Sequence, residues 1–179
     1  MNDQAYIDDC VLQLSKLKKQ AERAIGQIKD EDLFRLLDPE SNSIAVIMKH
    51  LAGNMKSRWT DFLTSDGEKA NRNRDSEFEV NPLDTRDKIL SLWEDGWAIT
   101  LSTISALKPN DLDRTINIRG ESHSVVEAMN RQSTHYAAHV GQIVLLAKHF
   151  AGSNWKTLSI PKGKSTEFDV SKGGASYKS

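Results

Sequence analysis

Two histidines, His135 and His139, stand four positions apart in a mostly apolar stretch of the chain. If that stretch is a helix, both side chains lie on one face with Cβ atoms about 5 to 6 Å apart. Two imidazoles at this spacing can bind one metal ion at roughly 2.0 to 2.1 Å. A buried imidazole is otherwise costly unless its ring nitrogens find hydrogen-bond partners. The pair therefore indicates either a divalent metal site or two hydrogen-bonded core histidines.

His50 is the candidate third ligand, because two imidazoles alone bind a metal ion weakly. It lies between Ile47 and Asn54, at the edge of the apolar face of an earlier predicted helix. If the two helices face each other, the three imidazoles converge and leave positions open for water or substrate. We therefore interpret His50, His135 and His139 as ligands of one divalent metal ion. Imidazole suits zinc, nickel, copper and iron, so the ligand types do not decide the metal.

Three polar residues lie one or two helical turns from these histidines: Asn54, Arg58 and Gln132. Positions one turn from the ligands are expected to line the mouth of such a site. For Asn54 and Gln132 the alternatives are contact with a substrate and a hydrogen bond to a ligand histidine. For Arg58 the alternatives are contact with a substrate and exposure to solvent.

The sequence lacks the patterns of several other catalytic sites. It contains neither the Glu-x-x-His pairs of carboxylate-bridged di-iron bundles nor the His-Glu-x-x-His of zinc proteases, so the predicted site holds a single ion. The only cysteine, Cys10, falls on an apolar helical face, where a thiol is expected to be buried and unreactive. His123 and His149 are expected to be structural or exposed, since one begins and the other ends a predicted helix.

Composition excludes several classes of partner. The chain has 179 residues, enough for one domain, and its 24 Lys and Arg nearly balance its 25 Asp and Glu. This balance gives no sign of a nucleic-acid or membrane-surface partner. No apolar run approaches the roughly 20 residues that span a bilayer, and the N-terminus does not resemble a signal peptide. We expect a soluble cytoplasmic protein.

Apolar residues recur at intervals of three and four along four stretches, which predicts four helices. Their predicted spans are about 3–29, 44–64, 85–108 and 122–150. Ser43 and Asp84 are the expected N-caps of the second and third helices, and Gly152 is expected to end the fourth. Four such helices predict an all-α fold, a four-helix bundle whose two long loops favour a crossover topology.

The remaining segments are polar. Residues 65–82 are expected to form a long solvated loop between the second and third helices, and residues 115–119 a short extended piece. We expect residues 1–151 to form the bundle and residues 152–179 an irregular C-terminal tail. The first half of the tail, with Trp155, Leu158 and Ile160, is expected to dock on the bundle, and the last ten residues to be mobile.

Several segments resemble a known family. The run from Ser43 to Asn54, Ser-Ile-Ala-Val-Ile-Met-Lys-His-Leu-Ala-Gly-Asn, together with His135-x-x-x-His139-x-Gly-Gln-Ile, is similar to the DinB/YfiT-like superfamily. Within that superfamily the chain resembles the DUF1572 group, through Arg-Trp-Thr-Asp-Phe-Leu at 58–63 and Leu-Ser-Ile-Pro-Lys-Gly-Lys at 158–164. The likeness covers nearly the whole chain.

The resemblance implies a four-helix bundle with a three-histidine site for a divalent metal ion, zinc or nickel above all. His50, His135 and His139 fill the family's three ligand positions. It also implies a homodimer in bacterial cytoplasm. Characterised relatives include S-transferases that join a low-molecular-weight thiol, such as bacillithiol or mycothiol, to an electrophile, and a mycothiol-dependent isomerase.

Two functions remain open at this point. The first is a metal-dependent transferase that joins a small thiol to an electrophile, within a bundle core able to hold a small molecule. The second is a non-catalytic metal- or ligand-binding stress-response protein. The sequence offers no obvious carboxylate base near the histidines, which keeps the second function open. A thiolate, however, needs little help from a base once a metal ion has lowered the pKa of the thiol.

Overall fold

The computed structural model describes residues 3–167, and this range contains five α-helices and one two-stranded sheet. Their bounds are α1 Asp3–Ile25, α2 Asp30–Phe34, α3 Ile44–Trp59, α4 Arg86–Ala106, β1 Thr115–Ile118, β2 Glu121–Ser124 and α5 Val125–Ala151. In the bundle of the four long helices, α1 and α3 each pack against both α4 and α5. The predicted all-α bundle is confirmed, as is the irregular tail over residues 152–167, and α3 and α5, which carry the three histidines, are neighbours.

Large aromatic side chains fill the middle of the bundle. Trp59, Trp93, Trp97 and Tyr136 are almost completely buried. The indole Nε1 of Trp59 donates to the hydroxyl of Tyr136 at 2.9 Å, and that hydroxyl donates to Oδ1 of Asn54 at 3.3 Å. Because these bonds are buried and link α3 to α5, they fix the spacing of the two helices next to the histidines.

Cys10 belongs to this core, as its place on the apolar face of α1 predicted. Its Sγ lies 3.8 Å from Oγ of Ser133, and burial raises the pKa of the thiol. A buried thiol of raised pKa forms little thiolate at neutral pH and is a poor nucleophile.

α3 begins where the sequence predicts and ends earlier. Oγ of Ser43 accepts a hydrogen bond from the backbone N–H of Val46 at 3.3 Å, which is the expected N-cap. The helix ends at Trp59 rather than Thr64, because Asp61 adopts a left-handed conformation with φ of 49°. That conformation interrupts the helical hydrogen-bond ladder before the predicted end.

The N-cap of α4 is Thr85, and the prediction of Asp84 was wrong. Oγ1 of Thr85 accepts from the backbone N–H of Lys88 at 3.3 Å. The carboxylate of Asp84 instead accepts from Lys49 at 2.7 Å and from the backbone N–H of Asn81 at 3.0 Å. Burial alone would raise the pKa of Asp84, but these bonds lower it to about 2. Asp84 therefore fastens the end of the loop to α3, one residue before His50.

The β-hairpin before α5 corrects the predicted start of that helix. Glu121–Ser124 forms β2, which pairs antiparallel with β1, so the chain is extended where a helix from about residue 122 was expected. α5 begins at Val125 behind Ser124, whose backbone N–H donates to the carboxylate of Glu127 at 2.7 Å in a capping box. His123 consequently lies on β2, whereas His149 is exposed in the last turn of α5.

The polar segments are more ordered than the sequence suggested. A 3-10 turn at Asp75–Phe78 interrupts the loop of residues 65–82 and buries Glu77. In the tail, Trp155 and Leu158 are partly buried against the core, as predicted, and the Gln27 side chain bonds the backbone of Lys156. Ile160, the third residue expected to dock, is exposed. The prediction that the last ten residues are mobile concerns residues outside the described range. Across residues 3–167, no helix combines the length and the apolarity needed to cross a membrane.

Candidate metal centre

The structure brings the three predicted histidines together. His50 comes from α3 and His135 and His139 from consecutive turns of α5, and one ring nitrogen from each lies within 4.8 Å of the other two. The ring centroids of His135 and His139 are 4.6 Å apart, and that of His50 lies 5.5 and 5.2 Å from them. The i, i+4 spacing on α5 and the contact of α5 with α3 produce this convergence.

Each histidine keeps one ring nitrogen that makes no hydrogen bond in the described part of the chain. Nδ1 of His50 lies 3.0 Å from Oε2 of Glu77, and Nδ1 of His139 lies 2.8 Å from Oε1 of Gln142, which leaves Nε2 of both rings available. Nε2 of His135 is buried without a partner. A ring anchored through one nitrogen and open at the other is the usual state of a metal-binding histidine.

Burial favours the neutral form of two imidazoles, those of His135 and His139. Burial, aided by the neighbouring His139 and His50, lowers the pKa of His135 to about 4. Burial also lowers the pKa of His139. Both rings are therefore unprotonated at neutral pH, and their nitrogen lone pairs can bind a cation.

The donor set fits a divalent metal ion, although the spacing is wider than a bound ion requires. Three ligands placed roughly 2.0 to 2.1 Å from one tetrahedral ion stand about 3.3 Å apart, so side-chain rotation must shorten the 4.8 Å spread. The buried, unpartnered Nε2 of His135 is the strongest sign of fit, because an unpaired buried polar atom costs about 1–3 kcal/mol. A cation bound at this nitrogen would remove that cost.

Glu77 contacts a candidate metal ligand, and its place in the site was not predicted from the sequence. Its carboxylate accepts from His50 and also from Nε and Nη2 of Arg72, each at 2.8 Å. Burial alone would raise the pKa of Glu77, but the bonds from His50 and Arg72 lower it. The loop that carries Glu77 was predicted to be only a solvated connection, and the structure corrects this. No periodicity distinguishes Glu77 from the other acidic residues of the loop.

Gly53 has no side chain, which leaves the space on α3 that the Glu77 carboxylate occupies. A Cβ atom at Gly53 would collide with the carboxylate, so any other residue at this position would displace Glu77. The ring of Phe78 covers His50 from the same turn, with ring centroids 4.9 Å apart. Gly53 follows His50 by nearly one helical turn, so the loop rests directly over the His50 ring.

A cavity of about 430 Å³ adjoins the cluster, and His50 and His135 line it. All three residues predicted to line the mouth of the site, Asn54, Arg58 and Gln132, line this cavity. This cavity lies on the polar side of the bundle, between α3, α5 and the loop. Its walls are rich in arginine.

The three lining residues resolve some of the alternatives that the sequence left open. Arg58 is only 3% exposed, so exposure to solvent is excluded. Asn54 accepts its hydrogen bond from Tyr136 and does not bond a ligand histidine. Oε1 of Gln132 is buried and has no hydrogen-bond partner within residues 3–167. Contact with a bound molecule thus remains the role open to Arg58 and Gln132.

Comparison with known proteins gives one match. The model of a family described as "Protein of unknown function (DUF1572)" matches residues 2–164. No curated protein and no solved structure matches the chain. The matched range includes α3, α5 and the loop with Glu77, but the family description assigns no activity to them.

Proposed function

The chain belongs to the DUF1572 family, and we propose that it is a metal-dependent transferase that joins a low-molecular-weight thiol to a small electrophile. The observation that carries the proposal is the cluster of three imidazoles, with the unpartnered Nε2 of His135, beside a cavity. Concave sites with a few convergent polar groups are the usual places for small-molecule chemistry.

The side chains around the cluster support a site for one divalent ion, with zinc or nickel as the expected metals. Glu77 orients the His50 ring and Gln142 orients the His139 ring, so that Nε2 of each faces away from its anchor. A bound divalent ion would lower the pKa of a thiol and favour thiolate near neutral pH. Three neutral imidazoles leave the charge of such an ion uncompensated, which favours an anionic fourth ligand.

The hydrogen bonds of Glu77 are compatible with thiol chemistry. A general base needs a free lone pair within reach of the proton that it removes. Both carboxylate oxygens of Glu77 accept hydrogen bonds from Arg72, and one also contacts His50. The carboxylate nearest the histidines is therefore occupied with positioning. A metal-bound thiol of lowered pKa reacts without a strong base, so the proposed reaction does not need Glu77 in that role.

Membership of the DinB/YfiT-like superfamily belongs to the same proposal. Its support is a bundle of four long helices in which the second of these supplies one histidine and the fourth supplies two. On this likeness we also propose a homodimer in bacterial cytoplasm. Light scattering on the purified protein tests the dimer, which requires twice the 20.1 kDa of one chain.

The decisive experiment for the metal site is elemental analysis of protein purified without chelator. We expect close to one divalent ion per chain. Each of His50→Ala, His135→Ala and His139→Ala should lose it, whereas His149→Ala should keep it because His149 is exposed at the far end of α5. Parent protein free of metal, or full metal content in all three ligand variants, would refute the site.

Activity is tested by thiol consumption. Several cellular thiols are crossed with model electrophiles, with metal-loaded protein and with protein treated with chelator. We expect consumption that disappears on metal removal and returns on metal addition. A metal-loaded protein that consumes no thiol across the panel would instead support the alternative, a non-catalytic metal- or ligand-binding stress-response protein.

A further inference from the structure

We propose that the cavity beside the three histidines binds the anionic end of a small molecule that carries at least two negative charges on carboxylate or phosphate groups. Five arginines line it and are called the arginine pocket here: Arg58, Arg72, Arg74, Arg119 and Arg131. That the other end of this molecule reacts at the histidines rests on the proposed function. The anionic end rests on the arginine pocket alone.

The arginine pocket contains more positive charge than the neighbouring carboxylates compensate. Among the described residues, Glu68 and Glu77 form ion pairs with its members and Asp66 interacts with Arg58 at longer range, which leaves at least two positive charges in excess. Within residues 3–167, neither Arg74 nor Arg131 forms an ion pair. The whole chain carries a net charge of −1, so the excess is local. Guanidinium groups match carboxylate and phosphate oxygens in paired hydrogen bonds.

Arg58 provides the second, independent observation. Its side chain is 3% exposed, and Nε and Nη1 have no hydrogen-bond partner in the described residues. The carboxylate paired with it, that of Glu68, lies 3.8 Å away and also pairs with Arg72 at 3.2 Å and Arg119 at 3.4 Å. A buried charge without hydrogen bonds is costly, and proteins rarely retain one without a partner. An anion in the cavity would supply that partner.

A purely structural role explains only part of the arginine pocket. Arg72 holds Glu77 in place and so fastens the loop. Arg58 does not fasten the loop in this way, because its contact with Glu68 is too long for a hydrogen bond. Loss of Arg58 would leave Glu68 paired with Arg72 and Arg119. A structural role therefore predicts that removing Arg58 destabilises the protein, whereas a binding role predicts unchanged or higher stability together with lost binding.

The position of the arginine pocket links an anion to the histidines. His50 and His135 line the same cavity as the arginines, so a molecule anchored by its anionic end can present its other end to the ring nitrogens. The cavity of about 430 Å³ suits a small molecule. Oε1 of Gln132, buried and unpartnered in the same wall, can accept a hydrogen bond from a hydroxyl or N–H of that molecule.

The test is calorimetric titration of the full chain, metal-free and zinc-loaded, at constant ionic strength. The probes are succinate, inorganic phosphate and uncharged succinamide. Succinate and phosphate distinguish a dicarboxylate ligand from a phosphate ligand, and succinamide is the uncharged control. We expect at least one anion to bind the metal-free protein and succinamide not to bind. Arg131→Gln should weaken this binding about tenfold, and Arg23→Gln, an exposed arginine near the end of α1, should leave it unchanged.

Arg58→Met separates binding from structure. We expect it to abolish anion binding while the unfolding midpoint of the ligand-free protein stays equal or rises. The proposal is overturned if neither anion binds metal-free parent protein, if Arg23→Gln costs as much as Arg131→Gln, or if Arg58→Met binds anion normally. Should Arg58→Met fail to fold, the Arg131 and Arg23 variants decide. Anion binding by a protein that takes up no metal even when zinc is supplied would refute the proposed function alone, and metal binding without anion binding would refute this inference alone.

Discussion

Replacing Glu77 by glutamine should weaken metal binding while leaving the fold intact. The carboxylate of Glu77 lies 3.0 Å from Nδ1 of His50 and fixes the ring with Nε2 available to the metal. Glutamine has nearly the same shape and still offers one oxygen to His50. It carries no charge, however, so it no longer stabilises an imidazole polarised by a cation, and it offers Arg72 a weaker acceptor.

The expected size follows from the kind of contact that is lost. Glu77 is 8% exposed, so its bond to His50 is a buried, charge-assisted hydrogen bond, worth about 1.5–3 kcal/mol. At about 1.4 kcal/mol for each factor of ten, this corresponds to an affinity loss of roughly ten- to a hundredfold. Removal of carboxylates that orient metal-binding histidines in other proteins costs about the same factor.

The assay is competition for zinc against a chromophoric chelator at pH 7, with circular dichroism to show that each variant is folded. Glu79→Gln is the matched control, because Glu79 lies two residues further along the same loop with an exposed side chain. We expect its dissociation constant to equal that of the parent. An unchanged constant for folded Glu77→Gln, or an equal loss in Glu79→Gln, would contradict the positioning role of Glu77.

Gly53→Ala tests the same role without changing any charge. Alanine at a helix-interior position should favour α3 by about 1 kcal/mol relative to glycine. Its Cβ atom, however, collides with the Glu77 carboxylate, so Glu77 must move away from His50. Weaker zinc binding in both Glu77→Gln and Gly53→Ala would tie the effect to the position of the carboxylate. Weaker binding in the glutamine variant alone would point to its charge.

Three further predictions concern the surroundings of the site. Asp84→Asn should lower the free energy of unfolding by about 2 kcal/mol at pH 7, because the folded pKa of about 2 lies below the ordinary 3.8. This contribution to stability is present above pH 3.8 and is lost as the pH falls towards 2. Urea denaturation at several pH values measures it. Tyr136→Phe should cost about 1–3 kcal/mol in the same assay with unchanged zinc content, because it leaves Nε1 of Trp59 without its acceptor. Gln142→Ala should raise the zinc dissociation constant by only about three- to tenfold, because water can replace an exposed neutral acceptor.

Periodic features of the sequence predicted most of the fold. Apolar positions repeat along all four long helices, so their existence and order follow from the pattern alone. Ser43 was identified as an N-cap because a serine precedes an apolar helical stretch, and the structure has that cap. The candidate metal-binding pair was found in the same way, since His135 and His139 share a face of one helix.

Helix ends and short elements depend on contacts that periodicity does not contain. α2 has five residues, too few for a repeat to be visible in the sequence. α5 starts late because residues 121–124 pair with a strand that lies before them in the chain. α3 ends early because Asp61 adopts a left-handed conformation, which a side chain other than glycine adopts only in a particular local context.

The loop between α3 and α4 was the hardest part to interpret, because polar composition is compatible with two opposite structures. A segment rich in Glu, Asp and Arg is solvated when its charges face water, and it is rigid when they pair with one another and with a buried histidine. Here Arg72 pairs with Glu68 and Glu77, and Glu77 contacts His50. The contact of Glu77 with His50 needs α3 beneath the loop, so the loop sequence alone cannot reveal it. Arg72 also lines the cavity, so one side chain contacts the carboxylate that positions a candidate metal ligand and faces the space where an anion would bind. An anion that draws Arg72 towards itself would loosen Glu77, whereas one held by Arg58 and Arg131 would leave the His50 ring in place.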